Sequence, residues 1–179
     1  MIAGPIRSTI SKVEWIYFAI LNGTCLGFLV IRESFCYASL VDNIGTKGNP
    51  WHLTTPPGTS EYQMYRDQKD GIDVIVCVVG TTTLFYDARC LSDLQAMLKA
   101  HGDWMDLGGT DEQKEAKPGT GEAWGRSPEN PVGGWYGLKK GLRARFGVYV
   151  PPLMEALGFA ELTHEAKNNR MRAIEAAAD

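Results

Sequence analysis

Asp73-Val74-Ile75-Val76-Cys77-Val78-Val79, then Gly80-Thr81, then Thr82-Thr83-Leu84-Phe85-Tyr86-Asp87 is the stretch from which the fold is read. β-Branched and aromatic residues suit a pleated, half-buried surface. A two-residue link with glycine first suits the type II′ turn, whose twist matches that of the strands it joins. The stretch predicts a β-hairpin. Because Val74 to Val79 is apolar at every position, both faces of that strand need cover, which places it centrally in a sheet.

Upstream, Tyr62, Met64 and Tyr65 make Glu61 to Arg66 β-compatible, and Asp67 to Gly71 reads as a polar turn. Before that, Gly45, Gly48, Pro50, Pro56, Pro57 and Gly58 read as a lead-in loop. Downstream, Ser92 and Gln95 form an S-x-x-Q capping box opening a helix with a Leu94, Met97, Leu98 stripe, and Gly102 is placed to stop it. Asp103 to Gly134 is broken by Gly108-Gly109, Pro118-Gly119, Pro128, Pro131 and Gly133-Gly134. So long an irregular segment is unusual inside a domain, and Trp104, Trp124 and Trp135 imply that it packs on the body.

In the last quarter, Tyr136 to Phe146 reads as a short amphipathic helix, with Lys139, Lys140 and Arg143 beside Leu138, Leu142 and Phe146. Pro151 or Pro152 suits the first turn of the next helix, which Gly158 ends. Two strands, Phe159 to His164 and Arg170 to Ile174, follow, joined through Asn168-Asn169, residues that tolerate the left-handed conformation of a tight turn. The fold class expected is α+β: a small antiparallel β-sheet with a capped helix, followed by a helical and β-hairpin C-terminal part.

With 179 residues, 44% hydrophobic and 22% charged, the chain has the means to bury one core and is neither disordered nor fibrous. Residues 45–174 are expected to form the domain, after a leader over 1–44 and before a tail over 175–179. The leader has no charge from Trp15 to Ile31. It fits a signal peptide slightly better than a membrane span, and a helix packed on the domain or a stretch outside its fold remain open. The net charge of −3 gives no global attraction to nucleic acid or to an anionic membrane, and no stable membrane partner is expected for the domain. Four cysteines without a C-x-x-C point to reduced structural thiols, with two disulfides as the alternative, and to no zinc site.

No phosphate-binding loop, nucleophile elbow or H-E-x-x-H is present, so no catalytic group, metal or cofactor is assigned. Whether the protein is an enzyme stays open at this level. Asp103, Asp106, Asp111, Glu112 and Glu115 read as a solvated acidic loop before they read as paired catalytic carboxylates. Charge is polarised: between positions 134 and 173, seven Lys and Arg meet three Glu. Lys139, Lys140, Arg143, Arg170 and Arg172 are therefore the candidate contacts to nucleic acid, in a non-catalytic binding or regulatory module. The rival reading places a small anion or carboxylate, as ligand or substrate, in the Trp-rich loop among Asp103, Trp104, Trp124, Arg126, Trp135 and Tyr136, flat walls plus one forked cation. The bland alternatives are a solvated basic face, tryptophans that staple the core, and an Arg126 that caps a carbonyl or pairs with an acid.

Two resemblances add to this. Leu157-Gly158-Phe159 through Arg172 resembles the recognition helix and wing of a winged-helix domain, although Glu155 is the sole charge from Pro151 to Leu157, which does not suit base reading. Gly45 to Ile174 resembles a family of uncharacterised bacterial proteins with a domain of unknown function. The strings that carry it are Thr55-Pro56-Pro57-Gly58-Thr59-Ser60, His101-Gly102-Asp103-Trp104, Ala123-Trp124-Gly125-Arg126-Ser127-Pro128, Asn130-Pro131-Val132-Gly133-Gly134-Trp135-Tyr136-Gly137 and Asn168-Asn169-Arg170-Met171-Arg172. That resemblance stops short of the leader, implies a cytoplasmic domain and implies no activity.

Overall fold

A computed structural model describes residues 45–110, 114–137 and 145–174. The expected leader, the tail, Cys25, Cys36, and the helix proposed around Lys139, Lys140 and Arg143 lie outside the described residues, apart from that helix's two ends.

The hairpin is present as β3 (Ile72–Val79) and β4 (Thr82–Asp87), paired antiparallel from Val74↔Asp87 to Val79↔Thr82. Gly80 takes φ +55° at the first turn position and no positive φ occurs at Thr81, as a type II′ turn requires. β1 (Trp51–Thr54) and β2 (Glu61–Lys69) complete a four-stranded antiparallel sheet in the order β1-β2-β3-β4. Val74, Ile75, Val76 and Cys77 are all buried, so the central strand is withheld from water on both faces.

Two sequence expectations are corrected here. The lead-in loop contains β1, whose alternating Trp51 and Leu53 turn toward the core. β2 also runs three residues into the expected polar turn, to Lys69, and the link is Asp70-Gly71. Both link residues have positive φ (53° and 79°), the geometry of a two-residue type I′ turn. Arg66 to Gln68 stay exposed, so their polarity is compatible with a strand.

The chain passes directly from β4 into α1 (Cys90–His101): the Ala88 amide donates to the Asp73 carbonyl and the Arg89 amide to Asp87 Oδ1. The helix therefore starts two residues before Ser92, whose hydroxyl donates to the Arg89 carbonyl, and the expected capping box does not form. Cys90, Leu94 and Leu98, spaced four apart, are buried with Leu91, and Gly102 stops the helix at φ +72°. The Cys77 and Cys90 thiols are free and buried, and burial pushes both well up from the ordinary range.

The long segment contains β5 (Met105–Asp106) and α2 (Gly121–Trp124), with Thr120 Oγ1 accepting from the Ala123 amide as N-cap. α3 (Phe146–Ala156) begins five residues ahead of Pro151, so both prolines lie inside the helix rather than in its first turn. It is apolar nearly all round, with Phe146, Tyr149, Val150, Leu153 and Met154 buried, as suits a core helix. Tyr62 Oη donates to the Tyr149 carbonyl at 2.8 Å and the two rings meet edge to face, joining α3 to the large sheet. β6 (Ala160–Leu162) and β7 (Arg170–Ala173) follow, and β5 joins them in a second sheet ordered β5-β7-β6. Asn168 takes φ +57° in their turn, and both polar atoms of the Asn169 amide bind the Glu165 backbone at 2.7 Å. The α+β class expected from the sequence is the class observed.

Candidate functional site

The Trp-rich segment is organised by Glu122, which is fully buried. One carboxylate oxygen accepts from the Gly147 amide in the first turn of α3 at 2.5 Å. The other accepts from Nε and Nη2 of Arg126, one helical turn on. All of these partners are donors, so the group serves them as a carboxylate. Burial pushes the carboxyl up, while the Gly147 amide and the Arg126 guanidinium pull it back. Arg126 also donates to the carbonyls of Lys114 and Thr110 and lies over the Trp135 ring, 4.7 Å from its centroid. The forked cation foreseen as a ligand contact is thus engaged by an acid, two carbonyls and an indole.

The neighbouring aromatics pack in the same way. Trp124 stacks on Tyr136 at 5.4 Å between ring centroids and leans on Phe146, on which Tyr136 also stacks. Tyr136 Oη donates to Asp93 of α1. Asn130, 4% exposed, donates to the Trp124 and Gly134 carbonyls and accepts from the Val132 and Gly134 amides, folding the turn that presents Trp135 and Tyr136. The walls of the expected pocket thus lie against one another and the core.

Trp104 instead joins the basic set. Arg172 and Arg170 lie 4.6 and 5.6 Å from its ring centroid, and Arg172 also pairs with Glu161 at 2.7 Å. Asp103 is exposed and accepts from the Trp104 amide. The structure brings together residues that the sequence had assigned to two different sites.

A cavity of about 430 Å³ opens elsewhere, between the Thr55–Ser60 loop of the large sheet and the first turn of α3. Its polar lining residues include Lys117, Arg145 and Asp106, Thr55, Thr59 and Ser60, and Asn168 and Asn169 at the β6–β7 turn. Lys117 Nζ lies 3.1 Å from Asp106 Oδ2, so this part of the acidic loop is paired with a cation. Gly108, Gly109 and Gly147 form part of the wall. A methyl group on Gly147 would stand 2.3 Å from the Leu107 carbonyl oxygen, which explains the glycine where the 107–109 segment crosses α3. Arg145, next to it, holds φ +27° and ψ 57°, a conformation that costs a non-glycine residue about 1–3 kcal/mol. Sequence reasoning missed Glu122, Asn130, Lys117 and Arg145 as organising or lining residues. The four-residue step from Glu122 to Arg126 was the one signal that could have found the buried pair.

Among the described residues, no three His, Cys, Asp or Glu side chains converge to hold a metal, and no helix is long and apolar enough to cross a membrane. Fold and site together define a small α+β domain with a polar cleft beside a carboxylate-capped helix. The chain belongs to a family of unknown function (DUF6855), whose model matches residues 43–174. No curated protein and no solved structure matches the chain.

Proposed function

We propose that this domain is a non-catalytic binding module whose ligand is a small anion, a carboxylate in the first instance, held in the cavity beside α3. The cavity lining carries the reading: among the described residues Lys117 and Arg145 bring cationic side chains to it, with Asp106 paired to Lys117 and Thr55, Thr59, Ser60, Asn168 and Asn169 alongside. The strained backbone at Arg145 supports it, because such cost persists where surrounding structure enforces it, often at ligand sites. The reading sets the protein in the cytoplasm, where unpaired thiols such as Cys77 and Cys90 are ordinary.

A ligand bound only by the folded state stabilises it, by about 2.7 kcal/mol at a hundredfold excess over Kd. Thermal unfolding in acetate, citrate, phosphate and chloride at matched ionic strength should therefore show a carboxylate-specific rise in Tm, reduced in Lys117→Ala. Equal Tm in all four salts, or a rise indifferent to Lys117, overturns the reading.

Trp104 favours a second reading. The order α1-β5-α2-α3-β6-β7, with strands arranged β5-β7-β6, supports the winged-helix resemblance. In that reading α3 stands where the recognition helix would, yet it is buried, so nucleic-acid contact falls to the wing. There Arg170, Arg172 and the Trp104 ring offer cations and a stacking surface of the kind single strands use, with Glu161 offsetting part of the charge. A fluorescently labelled oligothymidine should bind wild type at low salt, weaken steeply as salt rises, and fail to bind Arg170→Glu/Arg172→Glu. No low-salt binding by wild type sinks this second reading.

A further inference from the structure

His164 follows β6, at the base of the turn that carries Asn168 and Asn169 to the cavity edge. Its ring bridges two segments distant in sequence. Nδ1 lies 3.0 Å from the carbonyl oxygen of Pro56, in the Thr55–Ser60 loop, and Nε2 lies 3.1 and 3.0 Å from Oε1 and Oε2 of Glu155 on α3. Both partners are acceptors only. A neutral imidazole has a single N–H, so one of its two contacts would set lone pair against lone pair. The imidazolium alone makes both hydrogen bonds.

We propose that His164 is a proton-operated strap: when doubly protonated it ties the β6–β7 turn to the Thr55–Ser60 loop, and on losing a proton it releases one side and loosens the cavity wall. Pro56, Asn168 and Asn169 line that cavity, so the strap regulates access to it, a consequence that rests on the cavity reading above. Glu155 is the charged group that faces the ring from α3, and it also accepts from the Leu162 amide, which keeps the carboxylate in place. The Thr55–Ser60 loop presents a carbonyl to the ring and no ionisable side chain. Within the turn itself the charged residues are Glu165 and Lys167, both exposed.

Glu155 first, and the Pro56 carbonyl second, hold the histidine above its ordinary value, with slight burial opposing. A base raised in the folded state stabilises it fully below the unfolded value of about 6.5, and that contribution is lost as pH rises through the folded value. The strap is therefore closed in mild acid and opens toward alkaline pH.

The test is hydrogen exchange on the ligand-free protein at about pH 5.5 and about pH 8.5, on either side of the ordinary histidine value, corrected for intrinsic rates and paired with ring nitrogen shifts of His164. Both ring nitrogens should be protonated at the lower pH. Protection of residues 163–169 and of the Gly58 and Ser60 amides should fall several-fold at the higher pH. His164→Gln should flatten that response, and Glu155→Gln should move the titration down toward the ordinary value. A ring titrating at or below that value, or wild-type protection unchanged across the titration, overturns the strap. Acetate binding measured at the same two pH values keeps the two readings apart. A several-fold weaker affinity at the higher pH, absent in His164→Gln, supports the link. Complete absence of acetate binding overturns the cavity reading while the exchange result stands by itself.

Discussion

Replacing Glu122 by alanine is expected to destabilise the domain by about 3–5 kcal/mol, because truncating one member of a buried ion pair leaves the other without its counter-charge. Here the loss is compounded. Arg126 loses its acid while remaining 13% exposed, and the Gly147 amide at the start of α3 loses its acceptor. Glu122→Gln should be nearly as damaging despite its matching shape, since one side-chain oxygen becomes an NH₂ that must point at an existing donor. Urea unfolding of wild type, Glu122→Ala, Arg126→Ala and the double variant measures this directly. The double variant should cost clearly less than the sum of the two singles, because each single variant already abolishes the pair. A Glu122→Ala cost below about 1 kcal/mol, the scale of an exposed pair, would mean that the carboxylate does not organise this segment.

Trp124→Ala is expected to cost about 3 kcal/mol, the low end of the range for removing a large aromatic, because the ring is half-buried against the core. The ring stacks on Tyr136 and leans on Phe146, so its loss opens a void bounded by rings from the Gly134–Gly137 turn and from α3. The same variant separates the two meanings of the Trp-rich segment. A tryptophan that walls a ligand site leaves the free protein's stability nearly intact and lowers affinity when removed; a core tryptophan lowers the unfolding midpoint with no ligand present. A midpoint shifted by less than about 1 kcal/mol would return Trp124 to the candidate binding residues.

The legible parts of the fold were those set by neighbours along the chain. The β3–β4 hairpin, the glycine stop at Gly102 and the Asn168 turn each follow from a local rule of strand alternation or backbone conformation, and each stands where that rule puts it. The starts of α1 and α3 differ from the capping expectation because bonds from outside each helix, most of them from distant segments, set them. Asp73 and Asp87 launch α1 ahead of Ser92, and Glu122, 25 residues away, binds the amide that starts α3 ahead of its prolines. β1 was hidden because two half-buried apolar residues among prolines and glycines carry little periodic signal until β2 lies beside them.

The candidate sites divide the same way. Residue types that suit an anion or a nucleic acid could be named from their chemistry, and the four-residue spacing of Glu122 and Arg126 lay in plain view. Whether an arginine faces a ligand or an acid depends on segments that meet only after folding. Arg126 meets Glu122 and Trp135, while Trp104 meets Arg170 and Arg172 from a strand far along the chain. Sequence alone determined the α+β class, the central hairpin and the Gly80 and Asn168 turns, because these depend on steric preferences acting over a few residues. Tertiary structure decided the cleft beside α3 and the partners of Lys117 and Arg126, because burial and charge pairing are properties of surfaces brought together from distant parts of the chain.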